Sequence, residues 1–397
     1  MPTARSMVYL DFAASAPMRE EAIEAERDYE SRPWAGANPN SLHTLGREAS
    51  SELDRSRSTL ARLVGGNFRP SDVTFTSGGT ESNNLAIIGL AEGARAKDGR
   101  KSRVLFSSIE HDSILDLVGP LRDRGFDVAL VGPGRDGVVG SKTLGDVMDD
   151  DVALVSVMAA NNETGVIQPI DELARKAHAA GALFHTDAVQ GFGRVPLELD
   201  AVDAVSIAAH KIGGPVGIGA LVVRGRSPLR PQLFGGGQEM GRRPGTQDVR
   251  SAVAFSAAAA ACMKDLACTR EQVAGMSRGL YRTLCADGTG IEPTTGIAVG
   301  EDRLPGMVSI MVPGLESESL ILRLDAEGFE VSAGSACSSG SLEPSHVLTA
   351  MGIERDSAFG SLRISFDERV PQKDLDHFSD TLIGIVHDML GEGHGRR

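Results

Sequence analysis

Short paired cysteine spacings are missing from this chain. Its four cysteines, Cys262, Cys268, Cys285 and Cys337, are scattered along 397 residues, too few and too dispersed for a zinc site or a disulfide framework. A reducing cytoplasm is the expected setting. Positive charge is also short: 40 Lys and Arg stand against 54 Asp and Glu, a formal charge of −14, so most of the surface repels polyanions. Direct nucleic-acid binding is not expected. No apolar run approaches the ~18 residues that a bilayer crossing requires, so no membrane association is expected. The N-terminal stretch reaches Asp11 without a basic-then-apolar layout, unlike a signal peptide. Internal repeats and low-complexity tracts are lacking too. Aromatic residues make up only 4%, yet 41% hydrophobic and 24% charged residues give the balance of a folded globular protein and exclude disorder. At this length two lobes fit better than one core.

What is present is an alternation. From about Asp72, short β-branched runs alternate with Ala/Leu/Glu-rich helical stretches, the rhythm of a mostly parallel sheet covered by helices. Strands are expected at Val73–Thr76, Arg103–Ser107, Asp127–Val131, Val152–Met158, Leu183–Asp187, Ala204–Ile207 and Gly219–Val223. Helices are expected at Glu20–Ser31, Glu48–Leu63, Glu81–Ala96, Ser113–Arg124, Ile170–Ala180 and Ser251–Leu266. The segment Gly235–Asp248, with five glycines, Pro244, Arg242 and Arg243, reads as a long loop. A second βαβ-like set follows: Met307–Val312, Ser317–Glu327, Phe329–Ser332 and Leu362–Phe366, then a terminal helix near Gln372–Met389. The expected organisation is a large domain over residues 15–255, with residues 1–14 and 256–397 forming a smaller α/β domain.

The chemistry-bearing residues gather at expected strand ends. Lys211, in Ser206-Ile207-Ala208-Ala209-His210-Lys211, stands at the carboxyl end of a strand, where open α/β sheets place ligands. On its own it reads better as an exposed lysine at a strand end. Asp187, in His185-Thr186-Asp187-Ala188-Val189-Gln190, ends another strand 24 residues upstream. A lysine that forms a Schiff base and a carboxylate that keeps a pyridine nitrogen protonated are the two polar anchors of pyridoxal 5'-phosphate. A structural ion pair is the plain alternative. The run Thr76-Ser77-Gly78-Gly79-Thr80-Glu81 offers a phosphate site, because glycines let the anion approach the backbone at a helix N-terminus. It matches neither a Walker motif nor a dinucleotide fingerprint. His111 and Asn162 follow two further strands, where a ring-stacking imidazole and an amide donor compete with readings as a cap and a turn. Cys337 lies in a Ser/Gly stretch from Ser332 to Ser341, which places its thiol on an accessible loop as a candidate nucleophile.

Together these motifs resemble the pyridoxal-phosphate cysteine desulfurases of the nitrogenase-associated and iron–sulfur-cluster type, within the class V aminotransferases. The resemblance runs from Tyr9-Leu10-Asp11 to the Arg363 segment. It includes Asn38-Pro39-Asn40-Ser41-Leu42-His43, Ser77–Asn84, Asn161–Gly165, His185–Gln190, His210-Lys211, Gly235–Thr246 and Ser332–Cys337 with Leu342-Glu343-Pro344-Ser345. It implies the aminotransferase-like fold type I, a seven-stranded mostly parallel sheet plus a smaller α/β domain, and a homodimer with active sites at the subunit interface. It also implies roles for residues. Lys211 is the Schiff-base lysine, His111 stacks on the ring, and Asp187 partners the pyridinium nitrogen. Gln190 and Asn162 contact the ring oxygen and substrate. Gly79, Thr80 and His210 bind phosphate, with Thr246 donated by the other subunit. Arg363 clamps the substrate carboxylate.

The implied reaction turns L-cysteine into L-alanine and leaves a persulfide on Cys337 for a sulfur-acceptor protein. Two departures stand out: Ala208 replaces a usual phosphate-binding serine, and Asp367 a common glycine. A selenocysteine lyase, another aminotransferase, or a non-enzymatic scaffold impaired through Ala208 are the competing readings. No metal is expected.

Overall fold

The computed structural model describes residues 7–300, 302–334 and 344–394. In chain order the large sheet and its helices comprise β1 (Val8–Tyr9), α1 (Glu20–Glu30), α2 (Thr44–Val64), β2 (Val73–Thr76), α3 (Gly79–Lys97), β3 (Arg103–Ser107), α4 (Asp112–Leu115), α5 (Val118–Asp123), β4 (Asp127–Val131), α6 (Ser141–Gly145), β5 (Val152–Ser156), α7 (Ile170–Ala179), β6 (Leu183–Asp187), β7 (Ala204–Ala208) and β8 (Gly219–Val223). Here β1 is an outlier that pairs elsewhere. There follow α8 (Val249–Lys264), α9 (Leu266–Leu284), β9 (Glu292–Pro293), β10 (Met307–Met311), α10 (Ser317–Ala326), β11 (Phe329–Glu330), β12 (Ser332–Ala333), α11 (His346–Ala350), α12 (Arg355–Phe359), β13 (Ser361–Ser365) and α13 (Gln372–His394).

Seven strands form one sheet in the order β2-β8-β7-β6-β5-β3-β4. Only β8 runs against the rest, antiparallel to both β2 and β7. Because helices cover both faces, β5, β7 and β8 are buried at every residue. Alternate side chains feed two cores. Val104, Phe106, Leu154 and Leu221 pack with Leu85, Ile87 and Leu90 of α3, whereas Leu105, Val155, Phe184 and Val222 join Leu53 and Leu60 of α2 and Phe255 of α8. A third core holds Leu10, Phe12, Val308, Ile310, Leu362 and Phe378, and β1 pairs in parallel with β11.

The sequence reading needs three corrections. The helix expected at Ser113–Arg124 is two short ones, α4 and α5. Pro120 lacks an N–H and would strike the carbonyl of Asp116 in a continuous helix, and Asp116 is where α4 stops. The helix α9 was not anticipated. Finally, the second βαβ-like set is split, since β10 and β12 share a direction but β13 lies between them, antiparallel to both. Among the described residues no single helix is long and apolar enough to cross a membrane.

Candidate active site

Four parallel strands and β2 point their carboxyl ends at one place. After β2 the chain turns through Gly78, whose φ of +155° and ψ of −173° is backbone that glycine alone adopts readily. A Cβ on Gly79 would sit 2.9 Å from Val189 Cγ2, so the glycines let α3 begin tight against the β6 loop. Gly79 and Thr80 thereby bring the positive end of a 19-residue helix to a cavity of about 300 Å³. Its lining also includes His111, Asn162, Asp187, Gln190, His210, Lys211 and Arg363. Nine residues singled out in the sequence thus share one enclosure. Thr246 does not line it and is exposed on the Gly-rich loop. Cys337 lies outside the described residues.

The Lys211 ammonium donates to the carbonyls of Ala13 and Ala14 at 2.7 and 2.8 Å. Gln190 Nε2 donates to the same Ala13 carbonyl at 2.9 Å. Asp187, at the end of β6, accepts from Val189 N at 2.9 Å and from Asn83 Nδ2 at 2.6 Å. The same amide nitrogen donates to Ser113 Oγ at 2.9 Å. Ser113 in turn meets His111 Nδ1 through its hydroxyl at 2.9 Å and its backbone N–H at 3.1 Å. Since Nδ1 accepts a backbone N–H, the ring proton resides on Nε2. His111 therefore caps α4 with one nitrogen while its ring lines the cavity. Burial, and then the neighbouring Lys211 ammonium, pull His210 down to about 4, which leaves it neutral near pH 7. Asn161, not Asn162, builds the turn after β5, accepting from the N–H groups of Glu163 and Thr164. Asn162 is thereby turned toward the cavity.

Arg363 crosses from the smaller sheet. It is buried at 2% exposure, donating to the Asn162 carbonyl at 3.0 Å and to Asp11 Oδ1 at 2.8 Å. Asp367, unexplained in the sequence, accepts from Arg369 and from Arg19, and Arg19 also bonds the Ile212 carbonyl next to Lys211. Asn83, Ser113, Asp11, Ala13 and Ala14 were missed as site residues. Asn83 stands three residues after Thr80, on the same face of a helix, a usable signal. Carbonyl contacts such as those of Ala13 and Ala14 leave no trace in side-chain identity.

The residues present fit pyridoxal phosphate. Helix N-terminus, Thr80 and His210 form an anion end, Asp187 supplies a carboxylate and Lys211 an amine. Gln190 Oε1, Asn83 Oδ1 and Arg363 Nε are buried with no hydrogen-bond partner among the described residues, and all three residues line the cavity.

Residues 8–378 match the Aminotransferase class-V family. The chain is 40% identical over 388 residues to the IscS-like cysteine desulfurase of Mycobacterium tuberculosis, covering 96% of each. It superposes on a NifS-like protein with a TM-score of 0.87 at 33% identity, covering 96% of this chain and 99% of that one. A structure described as SspA in complex with cysteine matches with a TM-score of 0.76 at 30% identity, covering 90% and 98%. The chain belongs to the class-V aminotransferase family, and the fold is the fold type I of that family. Within the family it is a cysteine desulfurase of the IscS-like and NifS-like kind. That membership implies pyridoxal phosphate as the cofactor.

Proposed function

We propose that the protein takes sulfur from L-cysteine, releasing L-alanine, and hands it as a persulfide on Cys337 to a sulfur-acceptor protein in the cytoplasm. The convergence of Lys211, Asp187 and Arg363 on one cavity carries this reading. When bound, pyridoxal phosphate supplies an aldehyde that captures amines and a ring that takes up electron density from the substrate α-carbon. Thr80, His210 and the first turn of α3 would hold its phosphate, and Asp187, kept in place by Asn83, would partner its ring nitrogen. His111 would pack on the ring, and Gln190 would serve the ring oxygen. Lys211 would bind the aldehyde, and its Nζ is the group that would carry the substrate α-proton. Arg363 and Asn162 orient the substrate carboxylate. The Cys337 thiolate then accepts the substrate sulfur: one C–S bond breaks, one S–S bond forms, and the remaining carbon takes a proton to give alanine.

A homodimer completes this site in the proposal, with Thr246 reaching the partner's phosphate. Leu42, Val216, Leu233, Phe234 and Met240 lie on loops with their large apolar side chains exposed, Phe234 at 86%, which supports a surface covered by a second copy. The large lobe is assigned to residues 15–255, and the smaller lobe to residues 1–14 and 256–397. The structure reported with bound cysteine for a relative supports the substrate.

Incubation with L-cysteine followed by mass spectrometry is expected to find one added sulfur on the peptide containing Cys337. Cys337→Ser should keep the cofactor absorption near ~400–430 nm and lose alanine release. Undiminished turnover in that variant would exclude the role.

A further inference from the structure

We propose that Asp11 sets how strongly Arg363 holds the carboxylate of an amino acid, keeping the clamp weak enough to let the product go. The inference rests on the functional reading above and adds a residue to it. Asp11 belongs to an N-terminal segment clipped along the end of β13. Ser365 N donates to the Leu10 carbonyl at 2.7 Å, Phe12 N donates to the Ser365 carbonyl at 3.2 Å, and Ala13 N donates to Ser365 Oγ at 2.8 Å. This clip holds Asp11 two residues along the strand from Arg363, and its carboxylate forms a 2.8 Å ion pair with Arg363 Nη2. The same short segment presents the Ala13 and Ala14 carbonyls to Lys211 Nζ. One tetrapeptide, Asp11 to Ala14, therefore touches both cationic groups that a substrate amino acid must engage.

The consequence follows from charge. A guanidinium carries five N–H donors, and here Asp11 and the Asn162 carbonyl each take one, while Nε is buried without a partner among the described residues. Donors remain for an incoming carboxylate, but its charge arrives at a pair already neutralised by Asp11. Two carboxylates around one buried guanidinium repel each other, and that repulsion is strong where water is scarce. A second carboxyl near Arg363, that of Glu163, accepts from the Ser345 hydroxyl and makes no ion pair among the described residues. L-cysteine and L-alanine carry the same carboxylate, so a stronger clamp would hold substrate and product alike. Such uniform binding lowers KM without speeding the chemical step.

Asp11→Asn removes the charge and retains an oxygen that can accept from Nη2. The holoenzyme and this variant are titrated with L-alanine and with L-alaninamide, which lacks the carboxylate, following the visible absorption of the cofactor. The expected result is L-alanine binding tighter by about tenfold or more in the variant, L-alaninamide binding unchanged, and a lower KM for L-cysteine with no rise in kcat. L-Alanine binding that is unchanged or weaker would overturn the proposal, since Asp11 would then only hold the arginine in place. An equal shift for both ligands would overturn it too, because the effect would not be on the carboxylate. Should Asp11→Asn fail to fold, Asp11→Ser is read by the same criteria. If the wild type shows no cofactor absorption, the functional reading fails instead, and calorimetric titration with L-alanine still reads the ratio between variant and wild type.

Discussion

Ala208 ends β7 and lines the cavity with a methyl group, at the position where the family resemblance leads one to expect a hydroxyl on the phosphate. The rest of the anion end is in place: Gly79 and Thr80 at the helix terminus, and His210 two residues on. Ala208→Ser should therefore add a hydrogen bond without rebuilding anything. A Cβ at Gly79 would still lie 3.8 Å from the Ala208 Cβ, so the two backbones leave room for one more atom. A hydrogen bond to a charged group contributes about 1.5–3 kcal/mol, which corresponds to roughly tenfold to a hundredfold tighter cofactor binding. Equilibrium dialysis against pyridoxal phosphate measures it, and equal affinity in the two proteins would mean that the remaining ligands already satisfy the phosphate. The same position bears on the scaffold reading, because a weakened phosphate site with Lys211 and Asp187 still convergent makes cofactor occupancy, not chemistry, the quantity at stake.

Among the elements, the loop from Gly235 to Asp248 most needs explaining. Glu239 and Met240 are non-glycine residues at φ of +51° and +57°, each costing about 1–3 kcal/mol. Holding them there is the Glu239 carboxylate, buried at 3% exposure. It accepts from both terminal nitrogens of Arg57, from Phe75 N at 2.8 Å and from Gln247 Nε2 at 3.1 Å. Arg243 then pairs with Glu81 in the first turn of α3 at 2.8 Å, fastening the loop beside the anion end of the cavity. Glu239→Ala leaves the buried Arg57 with only the exposed Asp54 carboxylate, 3.8 Å from its Nε, a loss of about 3–5 kcal/mol. Chemical denaturation should register that loss, and a change under 1 kcal/mol would assign the loop's shape to its glycines. None of this was legible beforehand. The sequence marks the segment as a loop through its glycines and Pro244, but the Arg57–Glu239 pair spans 182 residues and neither partner belongs to a recognisable pattern. Strand-end residues were legible, because the alternation of strands and helices places the carboxyl ends of parallel strands together, and Lys211, Asp187 and Asn162 all follow such strands. Ser113 lines the same cavity and Asp11 touches it through Arg363, by contacts that depend on the final packing, so periodicity gives no hint of them.

For the molecule as a whole, buried titratable groups set how stability follows pH. Burial pushes Glu110 up to about 8 and Glu163 up to about 7, while it pulls His185 down to about 3. Glu110 Oε1 accepts from Ser107 Oγ and from Met158 N at 2.7 Å, and Oε2 has no partner among the described residues. The fold thus favours the neutral acid. The unfolded chain releases that proton near 4.5, so from about pH 4.5 to about pH 8 the folded state binds more protons and loses stability as pH rises, by about 1.4 kcal/mol per unit for one full proton. Each ring nitrogen of His185 meets a serine hydroxyl, that of Ser156 at 2.8 Å and that of Ser206 at 2.9 Å. Its contribution has the opposite sign, present above about 6.5 and lost as pH falls toward about 3. Glu110→Gln separates the two limbs. The amide carbonyl can accept both of the bonds now made to Oε1, and the side chain no longer titrates, so only the contribution that falls between about pH 4.5 and about pH 8 should change. Near pH 4.5 the variant should match or trail the wild type in thermal stability, and its difference from wild type should climb steadily to about pH 8 and then level off. Below about pH 4.5, where Glu110 is protonated in both the folded and the unfolded chain and His185 still titrates, the two curves should run parallel. A difference that stays flat from pH 4.5 to 9 would mean that Glu110 is ionised in the fold, and its carboxylate would then add to the charge of Asp187 at the floor of the cavity.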